Sequence, residues 1–120
     1  MEPRIIHPDD ASEFMTPEGC SILESWNDAA DPHVSIARAR VEPGVTTQRH
    51  ALDVDERYLI VAGRGEMRLG TAEPELVGPG GIVVIPAGTP QQIRNVGESD
   101  LIFYCVCSPR FRVTAFKALS

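Results

Sequence analysis

Two stretches decide how this chain folds: GVTTQRHALDVDERYLIVAG at 44–63 and GGIVVIPAGTPQQIRN at 80–95. Written as patterns they are Gly44-x5-His50-x-Leu52-x3-Glu56-x6-Gly63 and Gly80-x5-Pro86-x-Gly88-x2-Gln91-x3-Asn95. Gly44, Gly63, Gly80 and Gly88 stand where a chain of short strands must turn sharply, since glycine tolerates positive φ at no steric cost. Pro86 presets φ ahead of the next turn. Successive strand side chains alternate between faces, so an inward His50 predicts inward Thr46, Gln48 and Leu52. By the same parity Glu56 brings Tyr58 and Ile60 inward, and Gln91 brings Ile93 and Asn95.

The flanking sequence continues the pattern. Ten Gly and ten Pro separate short runs of Val, Ile, Leu and aromatics, which predicts an all-β sandwich or barrel. Strands are expected at 20–26, 33–41, 46–52, 56–62, 66–69, 82–85, 91–96 and 101–107. Gly63-Arg64-Gly65 marks a hairpin and Gly78-Pro79-Gly80-Gly81 another turn. Asp10 with Glu13 fits a capping box, so 11–15 is predicted to be one helical turn, ended by Thr16-Pro17-Glu18-Gly19. In the tail, Phe111, Ala115, Phe116 and Leu119 make an apolar stripe that packs back on the barrel or docks on a second subunit. Residues 1–120 are read as a single domain.

Eleven Lys and Arg against seventeen Asp and Glu give a net charge of −6, which opposes attraction to nucleic acid or to an anionic membrane. No run approaches the ~20 apolar residues of a membrane span, and the expected location is the cytoplasm. Cys20, Cys105 and Cys107 are an odd number in a chain large enough to build a core, which argues against a secreted disulfide framework. Cys105 and Cys107 share a strand face and are read as small buried hydrophobes. Arg38 and Arg40 are expected to be solvated or paired with acids.

With its strand order and paired motifs, 44–63 and 80–95, the chain resembles the cupin superfamily. The resemblance implies a small RmlC-like jelly-roll barrel with a short N-terminal helical turn and a short C-terminal tail. In metal-binding cupins the first motif supplies two histidines and a glutamate and the second a third histidine. Here His50 and Glu56 hold two of these places, while Leu52 and Gln91 stand where histidines are usual. The chain has only two other histidines, His7 and His33, both read as surface residues.

The resemblance implies either one divalent ion (Fe, Mn, Ni or Zn) on His50, Glu56 and Gln91, or no cofactor and an acid/base pair of His50 and Glu56. Gln91, Gln48, Tyr58 and Asn95 are the expected substrate-binding residues. Two functional classes follow: a small-molecule enzyme of isomerase, lyase or oxygenase type, and a non-catalytic binding or sensing barrel. The expected partners are a small polar ligand and a second copy of the chain, a homodimer with the N-terminal strands or C-terminal tail covering barrel edges.

Overall fold

The computed structural model describes residues 1–119. Its strands are β1 (Phe14–Met15), β2 (Ser21–Trp26), β3 (Ser35–Val41), β4 (His50–Leu52), β5 (Asp55–Ala62), β6 (Gly65–Leu69), β7 (Glu75–Val77), β8 (Ile82–Ile85), β9 (Gln91–Asn95), β10 (Leu101–Ser108) and β11 (Phe116–Ala118). They form two sheets, one in the order β1-β2-β3-β10-β5-β8 and one in the order β11-β4-β9-β6-β7. Every pairing is antiparallel. The expected all-β jelly roll is what the chain builds.

Parity holds along the long strands. Glu56, Tyr58 and Ile60 on β5 are buried, as are Gln91, Ile93 and Asn95 on β9, while Leu59 and Val61 are exposed. Ile60, Ile93, Val41, Leu101 and Phe103 close one end of the space between the sheets with a continuous apolar core. A smaller cluster of Leu52, Val54, Cys107 and Ala115, with Phe111 and Phe116 against it, closes the other end. Each fully buried aliphatic side chain of this kind stabilises the fold by about 1.5–3 kcal/mol.

The chain departs from the sequence expectation in four places. The N-terminal turn is a 3-10 segment at Asp10–Ser12, capped by Asp9, whose carboxylate accepts the Ala11 N–H at 3.0 Å, and Phe14 and Met15, which the sequence places in that turn, pair with β2 as strand β1. Glu13 does not close a capping box. It pairs instead with Arg40 at 2.6 Å and Arg38 at 3.3 Å, and the Arg40 hydrogen bond holds its carboxyl below the usual range. Strand 46–52 is interrupted: Thr46 makes an isolated bridge to Arg94, regular pairing resumes at His50, and Thr47 rather than Thr46 is buried. The loss of strand geometry over 47–49 breaks the two-residue period.

The other two departures are strands that the sequence pattern does not predict. β7 pairs with β6 between the Pro74 and Gly78 breakers. The tail forms β11, which adds to the edge of β4 with Phe116 opposite Leu52 and Ala118 opposite His50. The apolar stripe therefore packs on its own barrel.

Candidate active site

A cavity of about 410 Å³ lies between the sheets, within the size range of small-molecule sites. Neighbouring strands supply its walls. β3 and β10 run in register, placing Ser35 opposite Cys107, Ala37 opposite Cys105 and Ala39 opposite Phe103, all of which face the cavity. The small side chains among them leave the space, and Tyr58, Phe103, Phe111 and Phe116 bound it with rings.

Of the residues expected at the site, His50 and Glu56 both line this cavity. Gln91 sits behind Glu56, donating from Nε2 to the Glu56 Oε1 at 2.8 Å and accepting the Tyr58 hydroxyl at its Oε1. The second oxygen of Glu56 faces the Cys107 thiol at 3.8 Å. Burial pushes the Glu56 carboxyl above its ordinary value, against the opposing pull of the Gln91 hydrogen bond and of His50. The Tyr58 hydroxyl is pushed well up by burial and by Glu56.

His50 is held by three neighbours. Its Nδ1 lies 2.9 Å from the backbone carbonyl of Gln48 and 3.8 Å from Glu18 Oε2, and the ring of Phe116 stacks on it at 4.8 Å between centroids. A carbonyl oxygen can only accept, so Nδ1 carries the proton and Nε2 is the free basic nitrogen of the neutral ring. Glu18 stands ready to stabilise the imidazolium when Nε2 takes a proton. Burial raises the Glu18 carboxyl above its usual value, and His50 opposes that shift.

Sequence reasoning does not single out Glu18. It lies in the turn before β2, outside both motifs, and is carried to His50 because the Gln48 N–H donates to the Glu18 carbonyl at 2.8 Å. Among the other expected residues, Gln48 is an exposed rim residue whose amide donates to the Leu119 carbonyl at 3.2 Å. Asn95 does not reach the cavity. Its amide donates to the carbonyls of Val41 and Ser99 and accepts from Gly97 N–H, so it ties the barrel's end together rather than facing a ligand. His7 and His33 are exposed, as expected.

The donor set does not fit a resident metal ion. Leu52 has no donor, and the Gln91 amide oxygen is already taken by Tyr58. Among the described residues no group of three or more His, Cys, Asp or Glu is arranged to hold a metal. The cavity thiols are weak nucleophiles, because attack needs the thiolate. Burial pushes Cys20 up to about 11 and Cys107 to about 12, and Cys105 rises well above its usual value.

The cupin domain family model matches residues 37–107, more than half of the chain. The chain belongs to the cupin family. Solved structures with the same fold include an RmlC-like cupin family protein from Methanocaldococcus jannaschii, described as a double-stranded β-helix, at 20% identity and TM-score 0.72 over 92% of this chain and 94% of that one. A Streptomyces PAC13 variant with uridine is 18% identical at TM-score 0.80, covering 99% and 92%, and Pac13 is described as a nucleoside dehydratase. KdgF from a Halomonas species is 19% identical at TM-score 0.77, covering 90% and 96%. No curated protein matches the sequence. No helix among the described residues is long and apolar enough to cross a membrane.

Proposed function

We propose that this cupin is a small-molecule lyase or isomerase that works by metal-independent acid/base chemistry in the cavity between its sheets. The observation that carries the reading is the placement of His50 in the cavity wall, with Nδ1 2.9 Å from the Gln48 carbonyl and 3.8 Å from Glu18 Oε2 and the rest of the ring toward the cavity. On this reading Nε2 removes a proton from a substrate carbon next to a carbonyl, and the electron pair left behind expels an oxygen from the adjacent carbon or moves onto the carbonyl. Glu56, its carboxyl held toward the protonated form by burial, gives its proton to the oxygen that receives the charge. Expulsion gives water and an alkene; reprotonation at another carbon gives an isomer. That the same barrel houses a nucleoside dehydratase supports the lyase arm.

The test is NMR observation of solvent deuterium entering a panel of neutral hydroxyketones, or of their loss of water, with enzyme dialysed against chelator. Replacing His50 by Gln is expected to lower the rate by about 10²–10⁴ while the fold persists. Full turnover by that variant, or activity lost to the chelator and restored by a divalent ion, would refute the reading. Binding without exchange or elimination would favour the non-catalytic binding cupin.

We also infer a homodimer. β1 and β11 cover the edges of their own barrel, yet the outer face of β5 and β8 leaves Leu59, Val61, Ile82 and Val84 41–61% exposed, with Leu59 directly opposite Ile82. A second copy of the chain is the occupant this face fits, because a two-fold axis sets the same apolar patch against itself and keeps the acidic remainder of each copy apart. Light scattering should give twice the 13.1 kDa chain mass, and Val84→Glu should halve it. A wild-type monomer at micromolar concentration would overturn the inference.

A further inference from the structure

The charges that face the cavity restrict what enters it. Its lining includes three carboxyl side chains, Glu18, Glu24 and Glu56, and among the described residues no Lys or Arg. The remaining cation candidate, His50, already has Glu18 at 3.8 Å. An anionic ligand would therefore shed its hydration with no cation to receive it, in a space walled by rings and small apolar side chains. Of the three carboxyls, Glu18 already faces His50 at 3.8 Å, Glu56 is held toward its neutral form by burial and Glu24 is exposed at the rim, so none stands free in the interior to pair with a cationic ligand.

The shape of the space adds a second restriction. Along β3 and β10 the wall is built from Ser35, Ala37, Ala39, Cys105 and Cys107, all small. Tyr58 and Phe103 lie side by side with centroids 4.3 Å apart. Small residues on adjacent strands next to aromatic side chains make a slot suited to a flat apolar body.

Resting on the reading of this cavity as the substrate site, we propose that its substrate is an uncharged molecule with a planar, largely apolar body and an oxygen function directed at Glu56 and His50. Phosphorylated, carboxylated and ammonium-bearing compounds are excluded as substrates.

The experiment uses the full chain and three probes that share one body: 4-phenylbutan-2-one, 4-phenylbutanoate and 4-phenylbutan-2-amine, titrated calorimetrically at pH 7. The ketone is expected to bind roughly tenfold or more tightly than either charged probe, a difference of about 1.4 kcal/mol or more. Glu18→Gln should narrow the gap between ketone and carboxylate several-fold. Equal or tighter binding of the carboxylate or the amine would overturn the proposal, as would no saturable binding of any probe at millimolar concentration. An unchanged gap in Glu18→Gln would overturn the charge argument. Because the readout is binding, it can succeed while the proposed catalysis fails, and the two outcomes are distinguishable.

Discussion

Replacing Glu56 with glutamine should remove the pH dependence that this side chain imposes on stability. Glu56 is 6% exposed, and its carboxyl is raised from the free value of 4.5 chiefly by burial. Between 4.5 and the raised folded value, the unfolded chain has released this proton and the native state keeps it. The difference in bound protons, unfolded minus native, is then close to −1 for this group. Native stability therefore falls by about 1.4 kcal/mol for each pH unit across that window. The contribution is fully present below 4.5 and is lost as pH rises through the folded value. The Glu56→Gln side chain has no proton to lose, and its amide oxygen can still accept from Gln91 Nε2. Urea unfolding of both proteins at half-unit steps upward from about pH 4, below the free carboxyl value of 4.5, to about pH 9 measures the gap. The variant should gain on the wild type as pH rises, and the gap should level off once native Glu56 is ionised. Other titrating groups largely cancel in the difference. A gap that is flat across this range, or that favours the wild type increasingly toward high pH, would show that Glu56 is not held protonated by its surroundings and would remove the acid from the proposed chemistry.

Two further substitutions probe the barrel that holds the site. Gly63 has φ +83°, and a Cβ there would lie 2.6 Å from the Asp100 carbonyl oxygen and 2.8 Å from Leu101 Cα, both backbone atoms. Gly63→Ala should therefore destabilise the fold by about 1–3 kcal/mol for the left-handed backbone alone, with the backbone clash added to it, and a urea midpoint within error of wild type would refute the close approach. Asn95→Leu should strip partners from Val41, Ser99 and Gly97 backbone groups at about 1–3 kcal/mol for each one left buried. Calorimetry should find it destabilised, with probe affinity in the surviving folded fraction unchanged; a selective loss of binding would restore Asn95 to the ligand site.

Where residues sit on regular strands, the site is legible in the sequence. Glu56 and Gln91 lie on β5 and β9, where a period of two fixes the face, and the pattern alone turns each of them inward. Parity misplaces Thr46, and leaves Gln48 at the cavity rim rather than inside, because residues 47–49 leave the strand and a period has no meaning once its geometry lapses. Glu18 lies in a turn, where no periodicity assigns direction; only the hydrogen bond between Gln48 N–H and the Glu18 carbonyl brings it to the imidazole. The Asp10 and Glu13 pairing satisfies a local capping rule, yet two arginines on β3 offer Glu13 a stronger charged partnership. β11 reads as an apolar tail because its stripe is short, and its pairing with β4 is a contact between residues far apart in the chain.

That strand also separates completion of the site from completion of the barrel. Residues 116–118 follow β10 in the chain, and the barrel from β2 to β10 closes through pairings that do not involve them. Phe116, which stacks on His50, is thus supplied from outside that set of pairings. A premature stop or a protease cut after Arg112 would leave a barrel that retains its main core but has lost one face of its imidazole clamp, and the damage would register in the proposed chemistry before it registered as lost fold.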